Sequence, residues 1–355
     1  MKRFNLVGFL GVAGTLAMVA GSTQGQSVTV SGGAMTINTS AYATDQHMEI
    51  EVGPVPGEVR LSGVLGAPAT QYFGISSIDL TAGPRNDYVE FRIFTGDAPA
   101  ITASTGAGNS DVKVLYELAS SIMDASSFVT VSGGAGEDKV FFGVHSFARA
   151  FAASWSTNQG AGTNETFASI DSPEASQLMS VSLASTGTTG IDKYELAVVS
   201  NATSINLSAS PTTGGGNDSA VVTVDTLGPG TTNLATVASL GAGVDTFELT
   251  NISRGGPANF SGNVNGGADN DTIKFSSEAN GRVLMAFNGA LGNDNVDFFA
   301  KGTVTGRPRL LGAGGDDYLK LVIDGSRVAT PFIDGGAGFD IAFGFGTIIN
   351  CEQVN

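Results

Sequence analysis

Acidic residues recur along this chain at one place in a glycine-rich segment. Near the C-terminus GGADNDTIKF from Gly266, GALGNDNVDF from Gly289, GAGGDDYLKL from Gly312 and GGAGFDIAFG from Gly335 align with one another. Their closing acids, Asp271, Asp294, Asp317 and Asp340, are 23 residues apart. Earlier copies close on Asp87, Asp111, Asp138, Glu165, Asp192, Asp218 and Asp245, at intervals of 24 to 27 residues. A carboxylate at the end of a Gly-rich turn suits a hard cation. Ca²⁺ takes six to eight oxygens from carboxylates and backbone carbonyls, and Gly lets a turn aim its carbonyls inward. The candidate metal ligands are therefore Asp138, Asp218, Asp245, Asp271, Asp294, Asp317 and Asp340, with Ca²⁺ as the expected ion. A simpler role competes with this one: an Asp in a turn also accepts backbone N–H bonds and then needs no metal.

Such acids need a scaffold that stacks them, and the residues that follow each acid describe it. Apolar residues stand two and four positions on, as in Val140 and Phe142, Phe247 and Leu249, Ile273 and Phe275, and Val296 and Phe298. The position between is charged in several copies, including Lys274, Asp297 and Lys320. Apolar–polar–apolar alternation is the period-two mark of a strand with one buried face. On this count Lys113, Ser169 and Gly344 are exceptions at apolar positions, and Phe167 fits. A second strand precedes each turn, for example Phe128-Val-Thr-Val.

One such unit cannot bury its apolar face alone, whereas stacked copies can. The expected fold is all-β: a right-handed parallel β-helix (β-solenoid) of about eleven coils, on the order of 50 Å long. Stacking puts neighbouring carboxylates about 5 Å apart, where each like-charge pair costs about 3 kcal/mol at an effective dielectric of 20. A bound cation would relieve that repulsion. The segment Asp111–Met123 reads as strand plus turn rather than helix.

Composition agrees. The 355 residues include 50 Gly, 14% are charged, and 41% are hydrophobic, too many for disorder. Residues 1–25 read as a secretory signal peptide, with Lys2 and Arg3 before an apolar stretch and small residues at Gly21–Gly25. Residues 26–82 match the repeat poorly and are expected to form irregular first coils or a cap. Residues 83–355 form the repeat domain, closed by the tail Ile348–Asn355. The net charge of −16 argues against nucleic-acid binding. No stretch after the leader is apolar enough to span a membrane. The lone Cys351 excludes an internal disulfide.

The turns Gly133-Gly-Ala-Gly-Glu-Asp138 and Gly335-Gly-Ala-Gly-Phe-Asp340, with the tail Asn350-Cys-Glu, resemble the nonapeptides of RTX (haemolysin-type) calcium-binding repeat proteins. The resemblance covers roughly residues 83–355. It implies calcium binding and folding after export, in the extracellular space or on a cell surface. Members of that family carry two such turns per coil, whereas this chain has one per 23–27 residues. Calcium would then line one edge only.

Other chemistry is thinly represented. His47 and His145 lie in no recognisable catalytic or metal motif, and no phosphate-binding loop, nucleophile elbow or H-E-x-x-H occurs. Cys351 reads as a packing residue. Trp155, with Phe147 and Phe151, reads as core rather than a sugar-stacking patch. The expectation is a non-enzymatic, adhesin-like structural protein with calcium, and with extracellular polysaccharide or a cell surface as partner. The alternative is a carbohydrate-active β-helix, for which Arg282, Arg307, Arg309 and Arg327 are the basic residues at hand. An ice-binding solenoid ranks third, on Thr pairs such as Thr303 and Thr305 that hold no fixed place in the coil.

Overall fold

The computed structural model describes residues 27–41, 44–62, 70–119, 122, 124–173, 178–326 and 328–355. The signal peptide assigned to residues 1–25, together with Pro68, Met123 and Arg327, lies outside these. The described chain is strand without helix, wound as a β-solenoid of about ten turns. From Ser77 onward the chain alternates between two 15-stranded sheets, each strand pairing in parallel with its counterpart one coil away; Val304–Gly306 and Arg309–Gly314 together pair with the single strand Gly281–Leu291. The segment read as strand plus turn is the strand Ser110–Leu118.

Alternation along each strand builds the core. Phe142, Tyr194, Phe247, Phe275 and Phe298 point inward from one sheet and meet Trp155, Phe260 and Phe287 from the other. Phe275 and Phe298 stack at 4.7 Å, one coil spacing, as do Phe142 and Trp155 across the core. Trp155 is 1% exposed and donates its indole N–H to Ser127 Oγ at 2.6 Å, so it is a core residue.

The N-terminal coils differ. Ser27–Ser31 and Ala34–Asn38 form an antiparallel hairpin at the end of one sheet. His47–Val52, Val59–Ser62 and Thr70–Tyr72 form an antiparallel meander at the end of the other. These strands cover the first parallel strands, which would otherwise present open hydrogen-bonding edges. At the far end Thr347–Ile349 and Gln353–Val354 add the last strands of the two sheets.

Each Gly-rich turn joins a strand of the first sheet to a strand of the second, so all the turns lie on one edge of the rod. The backbone stacks tightly there. The amide of Gly136 donates to Ala161 O at 2.9 Å, and that of Gly162 to Thr189 O at 2.9 Å. A methyl group on Gly162, which has φ +143°, would come within 1.7 Å of Gly136 O. The turn glycines are thus required by close approach of backbone to backbone between coils.

Candidate functional site

The structure brings all seven candidate acids, Asp138, Asp218, Asp245, Asp271, Asp294, Asp317 and Asp340, into one column just inside the glycine edge. Asp87 and Asp192 belong to the same column. All nine are 4% exposed or less. Each acid stands at, or one residue before, the start of the strand that follows its turn, and its side chain is buried in line with the inward positions of that strand.

One oxygen of each carboxylate has a fixed task. Oδ1 of Asp245 accepts the backbone N–H of Asp218 at 2.7 Å, Asp271 that of Asp245 at 2.8 Å, and Asp294 that of Asp271 at 2.8 Å. The series continues through Asp317 and Asp340, and Glu352 closes it by accepting the N–H of Asp340 at 2.7 Å. At the other end Asp87 accepts the N–H of Gln46. Each acid therefore satisfies an amide of the preceding coil, as an Asx turn does within one loop.

The second oxygen is left over. Oδ2 of all nine aspartates is buried without a hydrogen-bond partner among the described residues. In Asp138, Asp192, Asp271, Asp294, Asp317 and Asp340 it occupies the space where the first Gly of the turn lacks a side chain: a methyl on Gly289 would lie 2.2 Å from Asp294 Oδ2. Burial raises the pKa of Asp271 to about 7 and those of Asp87, Asp245 and Asp317 to about 6. At Asp271 the neighbouring carboxylates of Asp245 and Asp294 add to the effect. Asp138, Asp192, Asp294 and Asp340 are also raised by burial.

The structure corrects the sequence reading at two coils. Asp111 and Glu165 do not belong to the column; Ser110 and Asn164 do, paired in register with Asp138 and Asp192. A one-residue shift moves a side chain to the opposite face of a strand. Asp111 and Glu165 thus point to solvent, as do Lys113, Phe167 and Ser169, while Val112, Val114, Thr166 and Ala168 point inward. Two of the three exceptions to the apolar pattern, Lys113 and Ser169, came from that misplaced register. The sequence signal that would have found it is the apolar pair Val112 and Val114.

Asn164 reveals the surroundings of the leftover oxygen. Its Nδ2 donates to Gly160 O at 3.0 Å, to Gly162 O at 3.5 Å and to Asp192 Oδ1 at 2.8 Å. Its Oδ1 accepts the Asp138 N–H, as an Asp would. The place filled by an amide N–H₂ in this coil is therefore lined by oxygens: two carbonyls of the turn and a carboxylate of the next coil. An Asp at the same position adds another oxygen to that lining. Such a place favours a proton or a cation. An orphaned carboxylate oxygen beside turn carbonyls is a donor set of the kind calcium uses. Three acidic side chains do not converge on one point among the described residues, so turn carbonyls would have to complete any coordination shell.

The remaining candidates scatter. His145 faces solvent beside Asp171 at 3.3 Å, and His47 beside Glu49 at 3.3 Å. Cys351 packs partly buried against the last coil. Arg282 and Arg309 lie on the outer face of the first sheet in different columns, Arg309 over the Phe332 ring. Lys274, Asp297 and Lys320 do form the outward charge ladder expected, with Lys320 Nζ 3.2 Å from Asp297 Oδ2. Comparison with protein-family models, with curated proteins and with solved structures finds no match to this chain.

Proposed function

We propose that the protein is an exported structural rod, extracellular or attached to a cell surface, whose glycine edge takes up Ca²⁺ along the aspartate column. The observation that carries this reading is the row of buried Oδ2 atoms without partners, in a place that Asn164 shows to be lined by oxygens. Asp138, Asp218, Asp245, Asp271, Asp294, Asp317 and Asp340 would supply carboxylate oxygens, with Asp87 and Asp192 beside them, and carbonyls of the turns would supply the rest. The bound ion would contribute charge neutralisation. The chain itself supplies the spacing, because strand pairing holds the acids one coil apart. No step of catalysis is assigned: His47, His145, Arg92, Arg149, Arg254 and Lys193 are each paired with a neighbouring acid on the surface. The leader-like residues 1–25 and the RTX-like turns support export into calcium-rich surroundings, and an adhesive or matrix role follows from a rigid acidic rod.

The test is thermal unfolding at pH 7.5 with chelator and with millimolar Ca²⁺, alongside calorimetric titration. Binding to folded chain only adds RT ln(1 + [Ca]/Kd) to stability. Saturation at about 100 Kd then gives about 2.7 kcal/mol per site, and several sites should raise Tm by roughly 10 °C or more. Superimposable melting curves and no heat of binding would remove calcium from the function and leave protons to neutralise the column.

A further inference from the structure

The two outer faces of the rod differ in charge, and the difference points to a partner. On the sheet that follows the turns, every strand from Ser110–Leu118 to Tyr318–Asp324 carries a charged residue facing out. On the other sheet six consecutive strands, from Asp124–Ser132 to Ala258–Ala268, hold a single charged residue, Asp124. It sits at the margin, paired with Arg149 at 3.1 Å. The rest of that face is mostly Ser, Thr, Ala and Asn in straight columns, with Phe128 (57% exposed), Val237 (55%) and Leu178 (40%) standing out of it.

We infer that this neutral face is the docking surface for a second copy of the chain. Three observations select that occupant. A chain of net charge −16 repels its own copies, and this is a face on which two copies can meet with almost no charge between them. Six strands about 4.8 Å apart and nine residues long span about 28 Å by 28 Å, or roughly 800 Å² per partner, the size of a standard stable interface. The side chains are small enough for two sheets to approach to about 10 Å, the usual face-to-face packing distance. Phe128, Ser154, Ser182, Ser208 and Ala235 share one column. With the rods antiparallel and a two-fold axis along the strand Leu178–Thr186, Phe128 of each copy covers Ala235 of the other, beside Val237. Phe128 and Val237 then bury one another, and both charged sheets remain in water.

Sedimentation of the full chain over a concentration series tests this. The expected species is a dimer that persists or strengthens at high salt, since screening removes only the residual repulsion. Ser182→Glu with Ser208→Glu places acids at the centre of the face and should yield a monomer with an unchanged circular dichroism spectrum. Phe128→Ser with Val237→Ser, which adds no charge, should weaken association by about tenfold or more, the equivalent of 1.4 kcal/mol. Thr250→Glu on the charged sheet should leave it intact. A monomer at every concentration and salt level would overturn the inference. So would a dimer unaffected by both double variants, or a monomer whose neutral face instead binds insoluble neutral polysaccharide or ice in a manner lost on Ser182→Glu.

Discussion

Asn164 and Glu165 are neighbours in sequence and sit in columns that treat charge in opposite ways. The column of Asn164 is buried behind the glycine turns, where desolvation raises Asp271 to about 7 and Asp245 to about 6. The column of Glu165 faces solvent. There Lys193 at 3.1 Å and Lys139 at 3.4 Å hold the Glu165 carboxyl below its ordinary range. Both columns stack charges at the coil spacing, but the outer one alternates sign through Asp111, Lys139, Glu165 and Lys193 and solves its electrostatics internally. The inner one repeats a single sign and does not. Function is expected where the ladder is left unsolved.

The largest effect should come from breaking the stacking that creates the inner column. Gly162→Ala forces a side chain onto a backbone at φ +143° and within 1.7 Å of the Gly136 carbonyl. Backbone strain and overpacking together should cost about 3–5 kcal/mol. Urea denaturation would measure it. A loss below about 1 kcal/mol would mean that the coils are not packed this closely.

The pH dependence comes next. A group whose pKa is higher folded than unfolded stabilises the fold fully below its unfolded pKa, and that stability is lost as pH rises through the folded value. For the inner column the window runs from about 4 to about 7, since Asp271 is raised from 3.8 to about 7 and Asp87, Asp245 and Asp317 to about 6. Glu165 has the opposite sign: its depressed pKa gives stability present above its unfolded value and lost as pH falls through the folded one. The buried column outnumbers and outweighs it. In chelator, Tm should therefore fall by roughly 5–10 °C between pH 4 and pH 7.5, and Ca²⁺ should restore it at the upper end. A metal-free Tm that rises with pH over this range would contradict the assignment of the column as the dominant titrating unit.

Asp271→Asn sharpens the comparison, because the protein already contains the experiment at Asn164. The substituted amide keeps an acceptor for the Asp245 N–H and gains a donor towards the turn carbonyls. Metal-free protein at pH 7.5 should gain about 1–2 kcal/mol, the value of a hydrogen bond made where a buried group was unsatisfied. Calorimetric calcium uptake should fall at the same time. Destabilisation in chelator would show that Oδ2 of Asp271 has a partner that an amide cannot replace.

These outcomes bear on what could be read from sequence. Interval, apolar alternation and the Gly turn are local patterns, and they specify stacked two-strand coils and the column of Asp218 to Asp340 directly. The register at Asp111 and Glu165 was not legible from the acids alone. Adjacent residues there can each end a Gly turn, and the choice is made by which neighbours fill the core, Val112 and Val114 in one coil and Ala168 in the other. The oxygen-lined place behind the turns was also hidden, since it is built from carbonyls that every residue possesses. Only the Asn164 amide, placed in three dimensions, marks it. The neutral face was legible in principle as an absence of charge from alternate positions of strands such as Leu178–Thr186 and Ser204–Thr212. It gains meaning only once those strands are known to lie side by side.

The smallest effect belongs to the outer column. Glu165→Gln removes the carboxylate shared by Lys139 and Lys193 and leaves two like charges two coils apart, about 10 Å, with the Gln coil between them. Exposed pairs of this kind contribute about 0.2–1 kcal/mol, and salt screens them. The loss should be about 0.5 kcal/mol at low ionic strength and close to zero at 1 M salt, with calcium uptake unchanged. Double-mutant cycles with Lys193→Met would measure the pairwise share. A loss as large as that of Gly162→Ala, or one that abolished calcium binding, would show that the outer and inner columns are coupled through the strand Asn164–Ser172. The division between a self-neutralised ladder and one awaiting a counter-ion would then fail, since altering the first would disable the second.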